Sequence, residues 1–427
     1  MSSDETVSPT PQGRPPSGRT AGVLRTFASL GIPQYRVYFI AMFLYFGAMQ
    51  MTVLARPWLA FELSADEAGQ RSAFVLGITV ASNNLPSLVL SPFAGALADR
   101  LSMRNILMVC GALLGAFAAF TAAGVAAGVL EWWHIAVIGV FQGTVMTFVT
   151  PTRRAIVSSL VDERHLLNAV SLHTVAQNVN RTGMPLVAGL LIAAFGAEWA
   201  YVLIAGLYAG AIVGLVGVPV SRGAGRRGQS MAGATGEGLR YAMRQPTIRN
   251  LLLIGLAGSV FGQPVQHLLP MFQDVLDIGP AGLGLLLTLM GAGSLVGSTT
   301  AASLGDFRRK GLLLIGFFTL LGGAIVAFSA SSIFVLSLVL MLPVGFGHSG
   351  RTALHLATLQ SYSDPAMRGR VMALNAMQGG LMPGAVLAIT AAAGVVGPQW
   401  ALGVSGAVIL LYGFWELLGS KTIRGLR

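Results

Sequence analysis

The chain has 427 residues, of which 54% are hydrophobic and only 10% charged, and its mean hydropathy is +0.71. A soluble domain carries about 25% charged residues, and a disordered chain combines low hydrophobicity with high net charge, so both classes are excluded. The formal net charge of +11 would suit a nucleic-acid partner, but its distribution along the chain assigns it otherwise.

The first 20 residues are polar and rich in Pro, Ser and Thr, with no apolar run to make a signal peptide. Residues 1–35 read as a disordered cytoplasmic tail. A spanning helix needs about 20 mostly apolar residues. Twelve segments meet that length: 38–61, 73–98, 106–130, 134–158, 169–195, 199–218, 251–273, 282–303, 312–329, 333–357, 371–396 and 400–418. The longest polar gap, Ser221 to Asn250, divides them six and six. The expected organisation is a six-helix half over 36–220, a cytoplasmic linker with an amphipathic segment over 221–250, a second half over 251–418, and a tail over 419–427. The predicted fold class is therefore an all-α integral membrane protein with twelve transmembrane helices in two pseudo-symmetric halves.

Only four of the 27 Lys and Arg residues lie outside one set of loops and tails: Arg71 in an opposite loop, and Arg56, Arg181 and Arg351 inside spans. The opposite loops hold Glu62, Asp66, Glu67, Glu131, Glu198 and Asp277 instead. This is the positive-inside pattern, and it predicts a multi-pass protein of the bacterial inner membrane with both termini in the cytoplasm. The net charge thus reflects topology, and no nucleic-acid partner is expected. Cys110 is the single cysteine, so there is no disulfide framework, and no grouping of Cys, His and carboxylates has metal-ligand spacing. No metal or cofactor is expected.

The halves look duplicated. Gln50 and Pro57 of the first span recur as Gln263 and Pro270 of the seventh, Asp99 after span 2 recurs as Asp306 after span 8, and Pro185 of span 5 as Pro383 of span 11. Repeats of this kind place a binding site between halves near the bilayer midplane, reached by rocking one half against the other. Gly291-x-Gly293-x-x-x-Gly297 resembles a nucleotide loop, but it lies inside a span with no strand before it and reads as helix packing.

The loop after span 2 reads Gly95-Ala96-Leu97-Ala98-Asp99-Arg100-Leu101-Ser102-Met103-Arg104, and Leu304-Gly305-Asp306-Phe307-Arg308-Arg309-Lys310 stands at the duplicated position. Here the chain resembles the major facilitator superfamily. A finer resemblance, to the macrolide-efflux and enterobactin-exporter branch, rests on Gly238 to Arg249, Thr358-Leu359-Gln360, Asp364-Pro365, Arg368-Gly369-Arg370-Val371-Met372 and Arg56-Pro57-Trp58-Leu59. The resemblance implies a latch in which Gly95, Asp99, Arg100 and Arg104, with Asp306, Arg308 and Arg309 in the second half, hold the halves together in one access state. The alternative for Asp99 is a loop anchor that caps a helix.

Cavity candidates are the polar groups of spans 1, 5 and 7: Gln50, Arg56, Gln177, Asn178, Arg181, Gln263, Gln266 and His267. Arg181 sits halfway along span 5, where a charge costs at least ~2.5 kcal/mol on insertion scales. It either contacts a substrate or counter-ion or is satisfied by polar neighbours such as Asn178. Arg56 is near a span end and has the alternative of snorkelling to the interface. Together the two lean the cavity toward anionic or amphipathic substrates. His348, Arg351, Thr352 and His355 in span 10 share one helical face, and a His stripe can change charge between pH 5 and 8. His348, Arg351 and His355 are thus proton-coupling candidates, against the alternative of a wetted helix end. Exchangers of this superfamily often carry an Arg three residues before a Gln-Gly pair in span 4. Here Gln142-Gly143 is present, with Gly139 at the Arg position.

The function implied is a secondary transporter, a proton-coupled exporter of hydrophobic or amphipathic small molecules, expected to work as a monomer. Alternatives are a lysolipid flippase, an importer of small organic anions, or a non-transporting sensor on the same fold. Scattered acids and histidines argue against an intramembrane enzyme.

Overall fold

Hydrocarbon offers no hydrogen-bond partners, so a chain this apolar satisfies its backbone within its own helices. The computed structural model describes residues 28–66, 71–98, 102–219, 231–304, 307, 309–419 and 421–426. Its long helices are α1 (Pro33–Glu62), α2 (Ala73–Ala98), α3 (Met103–Ala126), α4 (Trp132–Leu160), α5 (Glu163–Phe195), α6 (Ala197–Val216), α7 (Pro246–Leu276), α8 (Pro280–Ser303), α9 (Lys310–Ala330), α10 (Phe334–Tyr362), α11 (Arg368–Val396) and α12 (Pro398–Gly419). Among the described residues, ten of these are long and apolar enough to cross a membrane. Phe120, Val213 and Leu411 are among the large apolar side chains left on the outside of the bundle, as acyl-chain contact requires.

The helix ends have local causes. Pro33 at the first turn of α1 presets its φ. Ser102 accepts from the Asn105 N–H at the start of α3, and Glu131 and His134 form a capping box on α4. α5 begins at Glu163, six residues before the apolar stretch expected from 169. Its 33 residues span about 50 Å, so its polar first turns stand beyond the hydrocarbon. Gly196 (φ 101°) and Gly397 (φ 88°) turn α5 into α6 and α11 into α12; both need the left-handed region that favours glycine. The matching turns add a further likeness between the halves.

Helix pairing repeats as well. α2 packs on α4 as α8 does on α10, α3 on α6 as α9 on α12, and α3 on α4 as α9 on α10. Two seams join the halves, α5 with α8 and α2 with α11, related by the same pseudo-symmetry. Close approach depends on missing side chains. At the α5–α8 seam a Cβ on Gly284 would stand 2.8 Å from the Pro185 carbonyl oxygen, and within α2–α4 one on Gly143 would overlap the Asn83 carbonyl. Gly293 and Gly297 likewise face the backbone of Leu342 and Phe346 on α10, which is helix packing, as their position inside a span suggests.

The symmetry fails in α7. A single helix over 251–273 is the expectation, whereas the chain runs as Pro246–Ala257, a π-turn at Gly258–Gly262, Pro264–Leu268, a 3-10 turn at Leu269–Met271 and Phe272–Leu276. Pro264 and Pro270 remove backbone donors. Gly258 makes room for Arg351, whose Nη1 lies where a Cβ would be. The linker helix Met231–Arg244 is fastened to the start of α11. Arg370 Nη1 meets Glu237 Oε2 at 2.5 Å, and Tyr241 Oη accepts the Asp364 N–H at 3.2 Å.

Overpacking a tight contact costs about 1–3 kcal/mol. Gly143→Val is expected to lower the melting temperature of the detergent-purified protein, whereas Gly183→Ala, with nothing within 4 Å of the added Cβ, is expected to leave it unchanged. Thermal unfolding of the two variants beside wild type checks this.

Candidate transport cavity and the contacts between halves

A cavity of ≈ 720 Å³ is lined mainly by α1, α2 and α4 of the first half, with Leu114 of α3, Tyr208 of α6 and Ala376 of α11. Its apolar lining includes Met49, Val53, Leu114 and Met146, and among the described residues Arg56 is its one charged side chain. Arg56 is 9% exposed and lies six residues, about 9 Å, from the end of α1. It does not reach out to the interface. Its Nη1 donates to Gln142 Oε1 at 3.2 Å. With the Asn83 amide turned so that its oxygen faces the guanidinium, that oxygen accepts from Nη1 at 2.7 Å. Arg56 Nε is buried with no partner among the described residues.

The glycines of α4 explain this arrangement. Gly143 lets α4 sit against the backbone of Asn83, and a Cβ on Gly139 would come 2.6 Å from Ser82 Oγ. A side chain at 139 would have to displace the Ser82 hydroxyl. The cation beside Gln142 comes instead from α1, as Arg56. Several other cavity donors are already used: the hydroxyls of Thr52, Thr147 and Thr150 donate to Ala48, Gly143 and Met146 carbonyls of their own helices, and Asn84 Nδ2 donates to Val80.

Arg181 does not line this cavity. It faces a second, much smaller pocket (≈ 10 Å³) between the halves, with Gln263, Gln266, Met290, Ser294 and His348. Thus α5, α7, α8 and α10 bring together Arg181, Gln263, Gln266 and His348 of the expected set. His267 is within 3.2 Å of Gln266 Nε2 through its Nε2. Gln50, Gln177 and Asn178 are half-buried and line neither cavity. The span 10 stripe divides. Thr352 is exposed, Arg351 is buried against the π-turn of α7, and His355 is buried with Nε2 3.0 Å from Asn375 Oδ1 of α11.

Asp99, Arg100, Asp306 and Arg308 lie outside the described residues, and Gly95 is placed only as part of α2. Arg104 Nη1 donates to the Val218 carbonyl after α6 at 3.2 Å, a contact within the first half. Arg309 is exposed at the start of α9.

At the opposite end of the bundle, where α1 turns into α2, a polar cluster crosses between halves. Arg71 Nη2 pairs with Glu62 Oε2 at 2.9 Å and Nη1 with Asp274 Oδ1 at 2.8 Å; Gln273 Nε2 donates to Glu62 Oε1 at 2.7 Å. Burial alone would pull the Arg71 guanidinium down, but the bonds and charges of Glu62 and Asp274 outweigh it and hold it above its ordinary value. Sequence reasoning passed over this cluster because Arg71 reads only as a basic residue in an acidic loop. It also passed over Asn83 as a partner for Arg56. An amide within an otherwise apolar span is the available signal.

A family model described as transmembrane secretion effector matches residues 24–420. The chain belongs to that family of major facilitator transporters. The multidrug efflux pump Tap of Mycolicibacterium fortuitum is 25% identical over 339 residues, covering 76% of this chain and 80% of that protein. The enterobactin exporter EntS of Shigella boydii serotype 4 is 22% identical over 346 residues, covering 80% of each. Among solved structures, a point mutant of the peptide transporter POT superposes with a TM-score of 0.70 at 13% identity, covering 91% of this chain and 94% of that one. The nucleoside transporter NupG gives 0.68 at 12% identity, covering 90% and 97%. The solved structures show the fold, and membership of the family makes the chain a multi-pass membrane transporter of small molecules, not an enzyme.

In this transporter the Arg71 cluster is half-exposed, so each pair contributes about 1 kcal/mol or less. Arg71→Gln is expected to raise the population separated at the α1–α2 end roughly fivefold. Spin labels at Ser64 and Gly279, read as a distance distribution, should gain a longer component, and an unchanged distribution would mean that the cluster does not hold the halves together there.

Proposed function

We propose that this transporter exports hydrophobic or amphipathic small molecules of the drug, siderophore or metabolite kind, by alternating access driven by proton exchange. The observation that carries the reading is the ≈ 720 Å³ cavity with an apolar wall and a few polar groups, the size and character of a drug-sized site. The efflux pump and the exporter among its relatives support the direction. The loop charges support an orientation with the α1–α2 end outside the cell. The Arg71 cluster then bars the outer side, and the cavity loads from the cytoplasm or inner leaflet. His348 beside Arg181 at the meeting of the halves, with His355 at α11, supplies groups for proton coupling, and Asp99 the latch of the opposite access state. Import of small organic anions is the second reading, favoured by the charge of Arg56 in the cavity.

Energised inverted membrane vesicles should take up an amphipathic dye when the protein is present and stop when an uncoupler is added. Uptake by whole cells that rises with expression would turn the reading to import. His348→Ala is expected to make dye uptake insensitive to the pH gradient; a gradient response like that of wild type would return this histidine to a structural role. Asp99→Asn should slow uptake strongly at equal expression, and an unchanged rate would remove the latch.

A further inference from the structure

A buried guanidinium in a low-dielectric cavity is costly unless its charge and its donors are met. Arg56 has two amide oxygens, from Gln142 and the turned Asn83, on one nitrogen. Amide oxygens accept hydrogen bonds but carry no formal charge. Among the described residues Arg56 makes no ion pair, and its Nε is a buried donor without a partner. It is also 9% exposed within a roomy cavity, so the open space is the direction from which a counter-charge can come. The hydroxyls beside it cannot compete for an incoming acceptor, because Thr52 and Thr147 already donate to their own helices.

We propose that Arg56 is the anion receptor of this cavity, so that the preferred substrates pair one carboxylate, sulfonate or phenolate group with an apolar body. The anionic group takes the side of the guanidinium that faces the cavity, and a small turn of the side chain brings the buried Nε into the same fork, a bidentate geometry that arginine supplies and lysine does not. Gln142 and Asn83 hold the fork in place from behind, and Met49, Val53 and Met146 contact the apolar body. Arg181, in a pocket of ≈ 10 Å³, has no room for a substrate in this state and is not the receptor here. The inference rests on the export reading for the site's purpose, but recognition of charge is a property of the cavity in either direction of transport.

The test uses the full chain in detergent and a pair of fluorescent dyes with one aromatic body, one bearing a carboxylate and the other the neutral primary amide. Binding is read by fluorescence anisotropy, and uptake into inverted vesicles is measured in parallel. Wild type is expected to bind the carboxylate dye at least tenfold more tightly than the amide. Arg56→Gln should bring the two affinities together by weakening only the carboxylate dye, and Arg56→Lys should retain part of the preference. Arg181→Gln should keep the ratio. Equal affinities in wild type overturn the proposal without need of any variant, so poor folding of one variant does not shield it. Loss of the ratio in Arg181→Gln together with its retention in Arg56→Gln also overturns it, moving the receptor to the second pocket. Charge-selective binding without vesicle uptake would sink the export reading and leave the receptor standing; uptake of both dyes without selectivity would do the reverse.

Discussion

A charge inside hydrocarbon must find a counter-charge, a set of hydrogen-bond partners or a wet cavity, and the interior of this protein is arranged around three guanidinium groups that lack a carboxylate among the described residues. Arg56 is held by amides beside open space, Arg181 lies where the halves meet, and Arg351 presses into the π-turn of α7. Each one dictates something nearby. Asn83 and Gln142 face inward because of the first, and α7 departs from regular helix where the third lies against Gly258. The apolar effect that organises soluble cores has little to say here, since lipid is as apolar as a helix face.

What holds the helices together is therefore close backbone approach, and it is distributed unevenly. Within each half the pairs α2–α4 and α8–α10 touch through glycines, and α5 meets α8 through Gly284 in the same way. The α2–α11 seam and the Arg71 cluster join the halves through side chains. The half-exposed Arg71 cluster is weak and separable, whereas the backbone contacts, that of α5 with α8 included, are not. Two rigid bodies joined in part by replaceable contacts are what alternating access needs.

Much of this was legible in the sequence. Length of apolar run and loop charge delivered the helices, and repeated Gln-Pro and Pro positions delivered the duplication, because membrane spans leave a strong compositional trace. The site was legible only in part. Arg56 has two plausible fates from its place near a span end, and only the packing of α2 on α4, which brings Gln142 and Asn83 to it, decides against snorkelling. Pro264 and Pro270 give a local signal for two of the breaks in α7, but the contact of its π-turn with the Arg351 side chain comes from a span far along the chain, and no local pattern reports that. Arg71, Glu62 and Asp274 form a cluster only because the chain ends of α1 and α7 converge.

The duplication that relates Gln50 to Gln263 and Pro57 to Pro270 sets Leu269, a buried residue, opposite Arg56. The receptor charge is thus carried by one half alone. When the halves rock, that charge travels with its own body through whatever part of the membrane voltage falls across the cavity. An anion bound at Arg56 cancels it, so the loaded movement is electrically quiet. The empty return then moves an uncompensated positive charge, and each charge crossing the whole field is worth about 2.3 kcal/mol per 100 mV. On that arrangement, membrane potential sets the speed of resetting rather than of delivery.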